Sequence, residues 1–450
     1  MKSVYFVLSF LFFSGCVASK PIEIEKPVVH DIEIVQEKEI AQEEVNTIVH
    51  ISQDPDVYTK TIQTIDLNVT QEKFESQYFR AWTTQDANAS RNSVDWAFKT
   101  YNIGNAYGEN LQPLTQDFFE AMKTNSNFAQ YSTLNKKAIT LKDVNLRAFP
   151  TNKPLLMNPD IAGEGFPFDY LQNSAIAANK PIFATHYSKD KQWIHVFSSF
   201  AYGWIPADEL VFLQSDQTEL WQKAQQLLMI KDGVSIYSLN GDFLFKSKIG
   251  TIFALIDEND EYFTILAVSS YKTREPLFVK AKISKDVASK GFLEFNGENM
   301  KNVTNELLKS NYGWGGMYGQ RDCSSTIKDM FAPFGIWLPR NSYQQSKVGD
   351  VVLLEGLSTN EKISIIKEKG VPFKTLLYKK GHIVLYVGVV NDEITIFQNV
   401  WGIKTKKDGM EGRLVIGKTI FSTLNLGDNL NDYDVNASML ENLKSINTLY

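Results

Sequence analysis

Residues 312–345 read YGWGGMYGQRDCSSTIKDMFAPFGIWLPRNSYQQ, and the fold turns on how this stretch is parsed. Its first part is a loop rich in glycine (Gly313, Gly315, Gly316, Gly319). Beyond it, Ile327, Met330, Phe331 and Phe334 recur at i, i+3, i+4 and i+7, which predicts a helix of about three turns with one apolar face. Asp322 stands where an N-cap belongs. Cys323 then falls in the first turn, where unpaired backbone N–H groups and the positive end of the helix dipole favour a thiolate, so a depressed pKa is expected. A thiol so placed can act as a nucleophile. The alternative is a small buried apolar residue at a helix start.

A nucleophilic thiol needs a base. Of the five histidines only His382 follows Cys323, and it opens the apolar run GHIVLYVGVV, which predicts a strand start. The next run, EITIFQN, carries Gln398 and Asn399, and a polar side chain there could hold the imidazole in one tautomer. Only one other cysteine exists, Cys16, near the N-terminus.

Residues 1–16 read as an export signal: Lys2 supplies a positive end, and Val4–Phe13 is an apolar run too short for a stable span. Ser14-Gly15-Cys16 resembles a bacterial lipobox with Phe13 in place of leucine, the alternative being ordinary cleavage near Ala18. If Cys16 carries lipid, no intrachain disulfide is possible and Cys323 is left as a free thiol in an oxidising compartment. Residues 17–54 predict an extended acidic tether. A net charge of −6 argues against nucleic acid as a partner.

The middle of the chain changes texture twice. Residues 55–138 carry apolar residues at three and four spacing and predict a helical domain. Residues 139–215 and 216–290 turn to short apolar runs broken by turns, such as KPIFATHYSKDKQWIHVF, and predict two small all-β barrels. His186 and His195 lie in strands of the first with no acidic or cysteine partner at ligand spacing, so structural roles are expected and no metal site is. Residues 291–425 combine a helix with later strands and predict an α+β domain. Residues 426–450 read as a polar tail.

In order, Y-G-W-G-G, R-D-C-S-S, F-G-I-W-L-P-R-N-S, G-D-V-V-L, G-H-I-V-L-Y-V-G and F-Q-N-V-W-G-I resemble the NlpC-type cell-wall peptidases. These are papain-like cysteine enzymes that cut peptidoglycan stem peptides between γ-D-glutamate and meso-diaminopimelate. The N-L-R-x-F-P and Y-G-W-I-P stretches are similar to bacterial SH3-like barrels. The resemblance implies a multidomain α+β protein: a helical N-terminal domain, two SH3-like barrels and a papain-like domain. It implies Cys323 as nucleophile, His382 as base, Gln398 as the third polar residue, where histidine is usual, and Tyr312 at the oxyanion site.

It further implies substrate contacts from Asp322 and Ser324 beside the nucleophile, from Tyr170 in the barrel insert GEGFPFDYLQNS, and from Asn341 and Ser342. Relatives that grip a free N-terminal L-alanine carry aspartate where Asn341 stands. No cofactor is implied, and a monomer anchored through Cys16 to the outer membrane, facing the periplasm, is expected. Gln398 and Asn341 keep two other readings open: a wall-binding lipoprotein with a degenerate site, or an amidase or transpeptidase on the same fold.

Overall fold

The computed structural model describes residues 49–449 apart from 66, 68, 88–90, 162–163 and 270–274. The export segment, Cys16 and most of the expected tether lie outside the described residues.

Two seven-stranded antiparallel sheets follow one another. The first runs from Lys136–Thr140 to Leu210–Phe212 and the second from Gln226–Met229 to Ala288–Ser289. Each packs around its own core, aliphatic in the first and mixed with Phe245, Phe253 and Phe263 in the second, as short apolar runs broken by turns should. His186 and His195 pair across two strands of the first sheet. Each places Nδ1 on the Thr185 hydroxyl, at 2.9 and 3.0 Å, and His186 Nε2 meets the Ser126 carbonyl. Both rings are buried among Phe128, Tyr131 and Trp204.

The expected helical domain is a set of short helices, the longest Gln116–Asn125, and its apolar residues do not form a core of their own. Phe74, Tyr78 and Trp82 pack into the second barrel's core, with the Trp82 indole N–H donating to the Ala138 carbonyl of the first. Phe119 and Tyr101 join Phe149 and Leu155 of the first barrel, and Tyr58 stacks on Phe421 of the C-terminal domain at 4.3 Å. Helices of four to ten residues bury too little surface to stand alone, so the segment binds all three later modules together. The last residues assigned to the tether are also docked: the Gln53 amide exchanges two hydrogen bonds with the Phe421 backbone, at 2.9 and 3.0 Å.

The C-terminal domain packs the helix Gly297–Leu308 and the cysteine helix Cys323–Phe331 against a six-stranded antiparallel sheet. Across the sheet the strands run Asp350–Leu353, Leu443–Thr448, Thr375–Lys379, His382–Val390, Glu393–Lys407 and Met410–Thr423. The polar tail expected after 426 is therefore corrected. Residues 443–448 form a strand between two others, and Leu443 and Ile446 are buried. Leu-Lys-Ser-Ile-Asn-Thr reads as polar, but lying between two other strands it buries Leu443, Ser445, Ile446 and Asn447.

The barrels meet this domain through charge as well as apolar contact. Arg321 is buried and donates to both oxygens of Asp232, from the second barrel, at 2.6 and 2.7 Å, and to Asp329 at 2.8 Å. Against the opposing effect of burial, Arg321 holds the Asp329 carboxyl down at about 2. Removing one partner strands a buried charge. Asp232→Ala is expected to destabilise the chain by about 3 kcal/mol, at the low end for such pairs because Asp329 remains. A denaturant midpoint unchanged from wild type would contradict this.

Candidate active site

Cys323 is the first residue of its helix, as the apolar spacing predicts, and Ile327, Met330, Phe331 and Phe334 are all buried. Asp322 is the N-cap: its carboxylate accepts from the Ser325 N–H at 2.8 Å, and its own N–H donates to the Ser325 hydroxyl at 2.9 Å. Arg340 closes on the same carboxylate at 2.7 and 3.1 Å and donates also to Ser324 Oγ and to Ser174 of the first barrel. Asp322 and Ser324, expected to face substrate, thus spend their hydrogen bonds on holding the helix start. Arg340 had no assigned role in the sequence, because its partners lie 18 and 166 residues away.

The glycine loop is shaped by the first barrel. Gly315 and Gly316 have φ of 58° and 84°, and a Cβ on Gly315 would sit 2.5 Å from the Gln172 carbonyl. Only glycine tolerates both demands. The loop carries Trp314, whose indole N–H donates to the Asp169 carbonyl at 2.8 Å, and Tyr312, whose ring lies 5.8 Å from that of Trp401. Tyr170 packs on Trp314 at 5.3 Å and is close enough to affect Tyr312, so the structure brings it to the site's edge. Asn341 is exposed and caps the short helix Ser342–Gln345, accepting from the Gln344 N–H at 2.9 Å.

His382 opens its strand as expected. Its Nε2 lies 2.8 Å from Gln398 Oε1, the Gln398 amide NH₂ donates to Ser422 Oγ at 2.7 Å, and the Ser422 hydroxyl donates to the Thr423 carbonyl at 3.1 Å. The direction of the chain follows from its end. A carbonyl can only accept, so Ser422 Oγ takes the amide's hydrogen and Gln398 presents its oxygen to the ring. His382 therefore carries its proton on Nε2, and Nδ1 is the basic nitrogen. Asn399, the other candidate, donates instead to the Arg321 and Asn311 carbonyls, pinning the loop.

The thiol sits against the histidine strand. Backbone N–H groups of Ile383 and Ser324 donate to it, and Ile383 is the residue after His382. Yet the expected depressed pKa is not what the structure gives. Burial pushes the Cys323 thiol up to about 12, and the Asp322 charge adds to this, outweighing the two N–H groups and Arg340. Burial likewise pushes His382 down to about 4 against the Gln398 hydrogen bond. Both shifts favour the uncharged forms, a thiol and a neutral imidazole, at neutral pH. The helix start was legible in the sequence, but not the 7% exposure of Cys323 that overrides it. Alkylation of Cys323 by iodoacetamide, read by peptide mapping, is expected to be slow at pH 7 and to rise about tenfold per pH unit above it. Fast alkylation, flat down to pH 5, would contradict this. Burial also raises the Tyr312 hydroxyl, with Cys323 next in effect, so Tyr312 remains a protonated donor.

A cavity of about 500 Å³ opens beside His382 and Gln398. Tyr312, Phe168 of the first barrel and Trp401 line it, as do Leu424, Tyr433 and Met439 from the segment before the last strand. Residues 309–409 match the model of the NlpC/P60 family. This is an NlpC/P60 domain. The modules before it match in kind: 5–131 the NLPC_P60 N-terminal stabilising domain, 154–206 an SH3 domain of SH3b1 type and 214–259 one of SH3b2 type.

Among solved structures, an NlpC/P60 endopeptidase from Photobacterium damselae subsp. piscicida superposes with a TM-score of 0.76 at 23% identity. The match covers 88% of this chain and 97% of that one, so the multidomain fold is shared. An NlpC/P60 family protein from Bacillus cereus aligns at TM-score 0.47 and 15% identity, over 69% and 99% of the two chains. No curated protein is a significant match. An NlpC/P60 endopeptidase fold joined to SH3b domains supports a cell-wall peptidase.

Proposed function

We propose that the chain hydrolyses the γ-D-glutamyl–meso-diaminopimelate bond of peptidoglycan stem peptides through a cysteine–histidine mechanism. The observation that carries this reading is the one-directional chain from His382 Nε2–H through Gln398 and Ser422 to the Thr423 carbonyl, which leaves Nδ1 basic beside a strand that touches the thiol. Substrate entry brings the γ-glutamyl carbonyl to the sulfur. The Cys323 proton passes to Nδ1 as the C–S bond forms, and the oxyanion is met by the Tyr312 hydroxyl and the helix N-terminus. The imidazolium then gives its proton to the diaminopimelyl nitrogen as the C–N bond breaks. Water, deprotonated by the same imidazole, releases the thioester as the γ-carboxylate and restores the thiol. Product analysis of digested muropeptides tests this: cleavage at another bond would indicate an amidase or transpeptidase, and no cleavage a wall-binding protein.

A weak preference for peptides with a free N-terminal alanine, held at Asn341 and Ser342, is part of this reading. Asn341 has no charge, and its oxygen already caps a helix, so its hold on an ammonium lacks the ion pair an aspartate would supply. Discrimination against the N-acetylated peptide is expected to be modest and to grow about tenfold in Asn341→Asp. Equal cleavage of acetylated and free peptides by both proteins would refute it.

A further inference from the structure

Chemistry fixes which half of a substrate lies near which residue. In an acyl transfer the leaving amine must collect its proton from the imidazole, so the leaving group lies on the histidine side of the scissile bond. The 500 Å³ cavity is lined by His382 and Gln398 but not by Cys323. Tyr312 lines it too, so it opens from the reaction centre on the histidine side, where a leaving group would lie. Its lining is also one-signed: Lys379, Lys380, Lys404 and Arg413 contribute to it, and no acidic side chain does, in a chain whose net charge is −6.

These cations are not equivalent. Lys404 is paired with Glu411 at 2.5 Å and Asp434 at 3.6 Å, and Lys379 donates to the Ala437 carbonyl. Arg413 stands directly across the hairpin from Lys404, a like-charged pairing that a sheet does not favour by itself. Arg413 and Lys380 form no ion pair among the described residues. Two unpaired cations over a cavity with an apolar floor suit an aliphatic residue bearing carboxylates.

We propose that this cavity is the leaving-group subsite and that Arg413 and Lys380 bind carboxylates of the residue released there. The inference rests on the proposed peptidase reading and deepens it. It makes the residue after the scissile bond a determinant of specificity, and it assigns that role to the long hairpin and the C-terminal segment rather than to the barrels.

The test compares L-Ala-γ-D-Glu-meso-diaminopimelate with the same peptide carrying L-lysine in the last position, which lacks only the distal carboxylate. Wild type is expected to favour the diaminopimelyl peptide by at least about tenfold in kcat/KM, the worth of one charge-assisted hydrogen bond. In Arg413→Gln/Lys380→Gln the ratio is expected to fall toward one, because KM rises on the diaminopimelyl peptide far more than on the lysyl peptide. Lys380→Gln alone, at an exposed position, should lower the ratio in part and serves if the double variant is unstable. An unchanged ratio in both variants, or no preference in wild type, overturns the subsite while leaving the peptidase reading intact. Absence of any Cys323-dependent cleavage overturns both.

Discussion

Cys323→Ala is expected to abolish hydrolysis of stem peptides, with kcat falling by on the order of 10⁴–10⁶ while the protein still folds and binds peptide. The loss is that large because no other nucleophile is in place: Cys323 is the free cysteine of the described residues, and its neighbours Ser324 and Ser325 are tied to Asp322 and Arg340. The fold should survive because alanine keeps the helix start and the Asp322 cap, losing one buried sulfur's contacts, about 1 kcal/mol. Steady-state assays beside a thermal melt decide it. An alanine variant that turns over at near the wild-type rate would refute the cysteine mechanism.

His382→Ala should be nearly as damaging, costing about 10⁴ in kcat, since it removes both the base for the thiol and the acid for the amine. Gln398→Ala is expected to cost less, about 10–100-fold, the effect of losing one hydrogen bond that sets the ring's tautomer. A neutral amide orients imidazole but gives its cation little stabilisation. Burial, against the Gln398 hydrogen bond, holds His382 down at about 4. The sign of the pH dependence follows. His382 must be unprotonated in the free enzyme, so kcat/KM should hold as pH falls through 6.5 and decline only near pH 4. Equal losses in the two variants, or an acid limb near 6.5, would show that Gln398 does more than orient.

Some of this was legible from residues alone because the determinants are local. The cysteine helix is specified by a four-residue apolar stripe and an adjacent cap, and His382 by its place at the head of an apolar run. The barrels show in short apolar runs broken by turns. Helix and strand periodicity are properties of neighbouring residues, so they survive without the rest of the chain.

What only the tertiary structure decided depends on partners far apart in sequence. Residues alone left Gln398 and Asn399 both open and the resemblance implied Gln398; the partners that hold them apart, Ser422 and the Arg321 carbonyl, are each reached from a different strand or loop. Asp322 and Ser324 became framework because Arg340 folds back on them, and the C-terminal segment became a cavity wall because its strand finds a gap between two others. The thiol's protonation was set the same way. A helix N-terminus lowers a cysteine's pKa, but burial raises it, and burial is a sum over every element packed around Cys323 that no local pattern contains.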